Sequence, residues 1–306
     1  MATVLITGGT GLIGTALTQA LIDKGYNVIV LTRDPSQQRA SKNKSFAQWN
    51  IKDQTIDRNA IIKADYIVHL AGANVAEKRW TDKRKLEIID SRTKSAALLV
   101  KALKDIPNTV KAVISASAIG WYGPDPEIPN PHPFTENAPA NSDFLGTTCQ
   151  QWEESIGPVI SLGKRLVILR TGIVLSNEDG AYAEFRKPIK FGIAPILGSG
   201  RQVVSWIHIT DMVRMYIEAI ENEQWNGIYN AVTPVPVNNK TLITTIAKST
   251  KSFYLKVPVP AFALKAALGE MSIEVLKSCT VSAKKVEHAG FQFFFSNIET
   301  AVNNLK

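Results

Sequence analysis

Near the start of the chain a short apolar run, Thr3–Thr7, ends in Gly8-Gly9-Thr10-Gly11-Leu12-Ile13-Gly14. Helical periodicity begins at once, with Leu12, Ile13, Ala16, Leu17, Ala20 and Leu21 at three- and four-residue spacing and Gly25 as a natural stop. A second apolar run, Asn27–Thr32, then closes a strand–helix–strand unit. Gly9, Gly11 and Gly14 satisfy G-x-G-x-x-G, and Gly8, Gly11 and Gly14 satisfy G-x-x-G-x-x-G. The physical need is specific. A side chain at the first glycines would block the turn or hold a pyrophosphate away from the backbone, and the helix N-terminus offers free N–H groups and positive dipole. A glycine-rich turn in some other α/β protein is the competing reading. Four agreeing elements favour a dinucleotide site in a Rossmann-type, doubly wound α/β sheet.

The end of the second strand selects between dinucleotides. An acid there bonds the ribose 2′-hydroxyl of NAD, whereas a cation accepts the 2′-phosphate of NADP. Arg33 follows the strand directly and Asp34 comes next. A guanidinium pairs with phosphate and stacks on adenine as a carboxylate cannot, so NADP is preferred; an ordinary exposed loop arginine is the alternative. Residues 66–70 read as another buried strand, ending in Ala71-Gly72-Ala73-Asn74, small residues against which a dinucleotide can lie. A long helix is predicted over 81–104 with an inner stripe of Leu86, Ile89, Ala96, Leu99 and Leu103. Arg92 falls on or beside that stripe, where a charge needs a partner. Two partners fit: a cofactor phosphate, or a neighbouring acid such as Glu87.

Composition narrows the function classes. The formal net charge is +8, yet the cations are dispersed, and the densest group (Lys78, Arg79, Lys83, Arg84, Lys85) is interrupted by acids. With no reading motif present, nucleic-acid binding is disfavoured. The chain has only two cysteines and four scattered histidines, which predicts neither a disulfide framework nor a metal site. No basic leader with an apolar core and no membrane-length apolar run is visible, so a cytoplasmic protein is expected.

The segments ITGGTGLIGTALTQAL, HLAGANV, RWTDKRKLEIIDSR, ISASAIGWYG, DFLGTTCQQWE, GSGRQVVSWIHITDM and HAGFQF follow in order between residue 6 and about 293. Together they resemble the extended short-chain dehydrogenase/reductase superfamily, and within it an atypical epimerase-family subgroup, YfcH-like, with its own C-terminal extension. The resemblance implies an NADP-bound Rossmann lobe and a smaller C-terminal lobe over the nicotinamide. It implies cofactor positions at Thr10, Gly11, Leu12 and Ile13, at Thr32 and Arg33, at Leu70 and Ala71, at Glu87 and Arg92, and at Val174 near the nicotinamide end. The family's catalytic signature is where this chain departs. Members use a Ser or Thr after the fifth strand and a Tyr-x-x-x-Lys, the lysine holding the ribose and lowering the pKa of the tyrosine. An unassisted phenol, with a pKa of about 10, is a poor base at neutral pH. Here the Ser/Thr position falls on Ala118, with Ser117 one place earlier. Alignment on Glu153 puts Leu145 at the tyrosine position and Cys149 at the lysine position. Ser117 and Tyr122 are left as weak catalytic candidates, and Tyr122 reads equally well as a loop aromatic against Trp121 or Pro124. Cys149 reads as a small core residue more readily than as a nucleophile, and His208 as structural more readily than as a base.

The stretch from Phe185 to Trp206 reads as a loop rich in glycine, proline and cations. Arg186, Lys187, Lys190 and Arg201 suit a phosphorylated or nucleotide-linked substrate or, alternatively, an exposed surface. Trp206 is a further substrate-side candidate. Trp206–His208 reads as a strand, with Thr210 capping a helix through Ile220. Gly227–Val232 reads as another strand, Asn238 as the cap of a helix through Ser249, and 253–306 as a short strand with small helices. The subgroup usually has a proline near Ser282, so this turn is expected to differ. The expected division is a Rossmann domain over 1–235, with 175–205 contributing to the substrate lobe, and an extension over 236–306. The function expected is an NADP-dependent oxidoreductase or nucleotide-sugar-epimerase-like enzyme acting on a small molecule. The alternative is a cofactor-binding sensor or regulatory protein without turnover.

Overall fold

The computed structural model describes residues 1–250 and 253–305. The first strand–helix–strand unit is β1 (Thr3–Thr7), α1 (Leu12–Asp23) and β2 (Asn27–Thr32), with Thr3 opposite Asn27 in parallel register. It continues through β3 (Lys44–Asn50), β4 (Thr55–Ile56), α2 (Arg58–Lys63), β5 (Tyr66–His69), α3 (Asp82–Asp105), β6 (Ala112–Ala118), α4 (Phe144–Ile156) and β7 (Arg165–Thr171). The next elements are β8 (Ile173–Leu175), α5 (Ala181–Ile189), β9 (Ile193–Leu197), β10 (Val203–Val204), β11 (Trp206–His208), α6 (Ile209–Glu221) and β12 (Gly227–Ala231). The last are β13 (Val237–Asn238), α7 (Asn239–Ser249), β14 (Leu255–Val259), α8 (Ala261–Leu268), α9 (Ser272–Leu276), α10 (Lys284–His288) and α11 (Ile298–Asn304).

Eight strands form the central sheet in the order β12-β7-β6-β5-β1-β2-β3-β4, parallel throughout except for the short β4. Both faces are covered, which is why its strands read as unbroken apolar runs. Val4 and Ile6 face a core shared with α1 and α6, while Leu5 faces the opposite core with Ala96 and Leu99 of α3. The order reverses about β1, so the crevice suited to a ligand opens at the C-terminal ends of β1 and its neighbours.

Three local expectations are corrected. Leu86 is exposed, because the first turns of α3 bury Arg84 and Ile88 instead. The cap of α6 is His208, whose Nδ1 accepts from the Thr210 N–H at 3.1 Å; Thr210 lies inside the helix. The stretch 185–206 is not one long loop. It holds most of α5 and β9, and β9 pairs in parallel with β14. Those elements build a smaller core in which Leu175, Tyr182, Ile196, Trp206, Leu242 and Val302 pack together. The chain then returns to the large sheet, where Cys279, Val281, Val286 and Phe291 join the α1/α6 core. Asp125 fastens that return, accepting from Ser278 Oγ at 2.7 Å, Thr280 N at 2.9 Å and Thr280 Oγ1 at 2.8 Å. Ser282 donates its backbone N–H to the Phe134 carbonyl at 2.9 Å, a bond that a proline could not make.

Candidate functional site

The glycine turn is a tight cradle. Gly8 has a φ of +68°, and the Gly11 N–H closes the turn on the Gly8 carbonyl at 3.1 Å. A Cβ on Gly14 would lie 2.3 Å from the Gly8 oxygen and 2.6 Å from Gly9 Cα. One on Gly8 would meet the Leu70 carbonyl carbon at 2.9 Å. Gly11 is the N-cap of helix α1 and has no side chain to cap it, which leaves the first N–H groups of the helix to a ligand or to water. Thr10 and Gly11 are exposed, and Leu12, Ile13 and Leu70 are half-buried, so the expected phosphate-side residues gather at one opening.

Thr7 joins this cradle to β5. Its hydroxyl accepts from the N–H groups of Leu70 and Ala71, both at 3.1 Å, and lies 2.8 Å from His69 Nδ1. With its two lone pairs engaged, the hydroxyl donates to Nδ1, so His69 is neutral with its proton on Nε2, 3.3 Å from Ser95 Oγ. Burial agrees with this, pulling the His69 pKa down to about 3. The part Thr7 and His69 play in joining β1 to β5 beside the cradle is not legible in the sequence, because a strand-end threonine carries no motif.

At the end of β2, Thr32 is half-buried, and Arg33 is exposed without a carboxylate partner among the described residues. Asp34 is engaged by its own turn, accepting from Ser36 N at 3.0 Å, Ser36 Oγ at 2.6 Å and Gln37 Nε2 at 2.8 Å. On α3, Glu87 is taken by Arg84 at 2.8 Å, and Arg84 also pairs with Glu77 at 2.9 Å. Glu87 is therefore not the partner of Arg92. The Arg92 Nη1 donates to the carbonyls of Ala73 at 3.1 Å and Ile88 at 3.0 Å, and its guanidinium packs 3.1 Å from where a Gly72 Cβ would stand.

The catalytic candidates are enclosed. Ser117 Oγ donates to Glu153 Oε1 at 2.6 Å. Glu153 grips Arg170 with both oxygens, at 2.8 and 2.9 Å. Arg170 donates through Nη1 to Tyr122 Oη at 3.1 Å, and Tyr122 donates to Asn230 Oδ1 at 2.6 Å. Tyr122 is fully buried and stacked on Phe134 at 5.3 Å, and burial pushes its pKa up to about 12. Pro124 and a surface loop do not account for it; it belongs to a buried polar network that joins β6, α4, β7 and β12. Glu153, used in the sequence only to anchor an alignment, is the centre of that network. Leu145 and Cys149 lie along one face of α4 against Gly120, whose Cβ would meet Leu145 Cβ at 3.2 Å and Cys149 Sγ at 3.6 Å. The Cys149 thiol is buried 3.6 Å from the Ala118 carbonyl, and burial lifts its pKa to about 12, as for a packed core thiol. His208 is drawn down to about 4 by burial and serves as a helix cap.

The substrate-side cations are dispersed. Lys187 pairs with Glu184 at 2.5 Å, and Arg186 donates to the Leu305 carbonyl at 3.4 Å. Lys190 is exposed at the end of α5. Arg201 reaches the Ile128 carbonyl at 3.3 Å, beside an open groove of about 430 Å³. Trp206 is a correction: it is fully buried in the smaller core, its Nε1 donating to the Val235 carbonyl at 3.1 Å, and has no surface to offer a substrate. Val174 on β8 is half-buried, and a Cβ on Gly180 would stand 3.4 Å from Leu12 Cδ2, which brings this segment against the glycine cradle.

Comparison with known proteins agrees with this architecture. Residues 4–145 match the NAD dependent epimerase/dehydratase family, and residues 259–305 match a domain of unknown function, DUF1731. The chain is similar to the epimerase family protein YfhF of Bacillus subtilis, at 35% identity over 99% of this chain and 97% of that one. It is similar to the Staphylococcus aureus epimerase family protein SAR0825, at 34% identity over 98% of each. Among solved structures, the human epimerase family protein SDR39U1, crystallised with NADPH, superposes with a TM-score of 0.86 at 27% identity over 99% of this chain and 98% of that chain. Matched over nearly their whole length to relatives of this kind, the 306 residues belong to the epimerase family.

Proposed function

We propose that the protein binds NADP(H) in preference to NAD(H) and works as an oxidoreductase or epimerase-like enzyme on a small carbonyl or hydroxyl substrate. One observation carries the cofactor reading. The cradle at Gly8–Gly14 has no room for a Cβ at Gly8 or Gly14, as a turn pressed against a pyrophosphate requires. The choice of NADP rests on the end of β2, where Asp34 is occupied by Ser36 and Gln37 while the exposed Arg33 guanidinium, without a carboxylate partner among the described residues, can meet a 2′-phosphate. In the human relative the ligand is NADPH. In this reading Gly8, Thr10, Gly11, Leu12, Ile13 and Gly14 hold the phosphates, and Thr32 and Arg33 hold the 2′-phosphate. Leu70, Ala71 and Gly72 line the adenosine side, Val174 approaches the nicotinamide, and Glu87 acts at one remove by fixing Arg84.

Bound there, a nicotinamide supplies or accepts hydride. This chain's residues position it, and the proton that a reduced carbonyl takes up comes from solvent water, because Tyr122 and Ser117 are committed to Asn230 and Glu153. The test is a pair of NADPH and NADH titrations by protein-to-nicotinamide fluorescence. NADPH should bind tighter, by tenfold or more if one charge-assisted pair of about 1.5–3 kcal/mol is involved, and Arg33→Ala should erase the preference. Equal affinities in the intact protein would sink the assignment.

A second reading is favoured by one specific observation: Leu145 and Cys149 pack against Gly120 along the α4 face to which the family resemblance assigns a tyrosine and a lysine. In it the protein binds NADP(H) and signals without turnover. A carbonyl-substrate screen following NADPH oxidation separates the two. Any sustained oxidation removes the sensor reading, and binding with no turnover, restored by Leu145→Tyr with Cys149→Lys, establishes it.

A further inference from the structure

The smaller lobe leaves one apolar face bare. In the β9/β14 ribbon Ile193 lies opposite Leu255 and Pro195 opposite Val257, so alternate residues of the two strands share a face. Ala194 and Ile196 of β9 are turned into the smaller core. Ile193, Leu255 and Val257 are left to solvent, and Phe191 and Phe253 stand just before the two strands. The Leu255 N–H donates to the Gly192 carbonyl at 2.8 Å, which holds these two ends of the ribbon together. Phe191 is 84% exposed, Phe253 80% and Leu255 60%. An apolar patch of this kind marks a contact surface. The charge around it has one sign. Residues 185–210 and 224–269, which carry the end of α5 together with β9, α7, β14 and α8, hold nine lysines and arginines and no aspartate or glutamate. Lys190 precedes Phe191, Lys256 follows Leu255, and Lys248 lies in the last turn of α7, the helix that leads towards Phe253. All three are exposed, with no carboxylate partner among the described residues. Glu184, the carboxylate of α5, is taken by Lys187 at 2.5 Å.

Charge and hydrogen bonding select among the occupants of such a face. A second copy meeting it isologously would set these cations against their own counterparts, where like charges repel. An added strand would need the free edge of β14. Leu255 and Val259 bond β9, so that edge runs through Lys256 and Pro258, and a proline has no N–H to offer. An anionic bilayer surface suits both features at once: aromatic and aliphatic side chains enter the headgroup layer while lysines meet lipid phosphates. We infer that this face docks on the surface of a bilayer bearing anionic lipids, with Phe191 and Phe253 as the inserted side chains and Lys190, Lys248 and Lys256 as the cations beside them. No helix among the described residues is long and apolar enough to cross a membrane, so the contact is peripheral. The glycine cradle belongs to the other lobe, and the inference stands independently of the NADP(H) reading.

The experiment is cosedimentation of the full chain with vesicles of phosphatidylcholine alone and of two parts phosphatidylcholine to one part phosphatidylglycerol. The protein should sediment with the mixed vesicles and not with the neutral ones, and molar salt should weaken the association. Lys248→Gln with Lys256→Gln should weaken it by about twenty-five-fold, about fivefold for each charge lost near the surface. Phe191→Ser with Phe253→Ser should weaken it by about tenfold or more, because the inserted apolar area is lost. Both rings are so exposed that this variant should keep the melting temperature of the unmodified protein. No binding to the mixed vesicles, equal binding to both kinds, or an unaltered affinity in the phenylalanine variant would each overturn the proposal. So would a concentration-dependent dimer, seen by sedimentation equilibrium, that the phenylalanine changes abolish, because the face would then belong to a second copy.

Discussion

The Glu153–Arg170 pair permits a quantitative forecast. Both side chains are almost wholly removed from water, at 8% and 1% exposed, and joined by two short hydrogen bonds. Arg170 also lies 3.6 Å from the Trp121 ring centroid. Glu153→Gln keeps the shape but strips the counter-charge from a guanidinium that cannot reach solvent. Breaking a buried pair from one side costs about 3–5 kcal/mol. For 306 residues the unfolding entropy near the melting point is roughly 0.64 kcal/mol/K. The melting temperature should therefore fall by about 5–8 °C, read by circular dichroism or calorimetry. Replacing both partners, Glu153→Leu with Arg170→Met, should cost clearly less than the single change, because no uncompensated charge remains; Ser117 and Tyr122 each lose a partner in that variant, so some loss persists. If Glu153→Gln lowers the melting temperature by less than about 2 °C, the Arg170 charge does not depend on Glu153 for its compensation.

Three further outcomes are expected. Gly14→Ala should abolish NADPH binding and lower the melting temperature, since its Cβ would stand 2.3 Å from the Gly8 carbonyl, whereas Gly11→Ala, whose nearest neighbour would be 3.4 Å away, should keep the fold; similar melting curves for the two would refute the steric argument. His69 and His208, held by burial at about 3 and about 4, are neutral when folded, and the unfolded chain binds more protons below the ordinary value of 6.5. Their contribution is complete above that value and declines as the pH falls toward 3 for His69 and 4 for His208, by about 1.4 kcal/mol per pH unit for each. His69→Gln should flatten the decline measured between pH 7 and pH 5, and an unchanged slope would contradict the assignment. Cys149 and Cys279, both raised to about 12 by burial, should resist iodoacetamide in the folded protein and react only after denaturation; rapid native labelling of either would overturn their core placement.

What was legible in the sequence divides by range. The glycine turn, β1, α1 and β2 could be read because turn sterics and helical spacing are local, and Gly14 fails or fits against atoms only five or six residues away. The site's polar network could not. Arg170 and Glu153 lie 17 residues apart on different elements, and Tyr122 meets Asn230 across 108 positions. The commitment of the Tyr122 hydroxyl to Asn230, which takes it out of catalysis, therefore leaves no mark in the local sequence. Leu86 misled because periodicity does not know where a helix leaves the sheet: at the start of α3 the buried place goes to Arg84, neutralised by Glu77 and Glu87. The pairing of β9 with β14, Ile193 opposite Leu255, depends on contacts that neither strand advertises.

The return of the chain to the large sheet has a mechanical consequence. After building the smaller core, residues 279–291 go back to pack beside α1 and α6, pinned at Asp125, before α11 rejoins the smaller core. The two lobes are thus laced together rather than joined by one hinge. No single cut frees one from the other, and truncation before residue 279 would expose the flank of the large sheet that Val281, Val286 and Phe291 cover. Wide jaw-like opening would have to pull those stitches. Cofactor and substrate should therefore exchange through local yielding of loops around the cleft, with the lobes keeping their relative orientation.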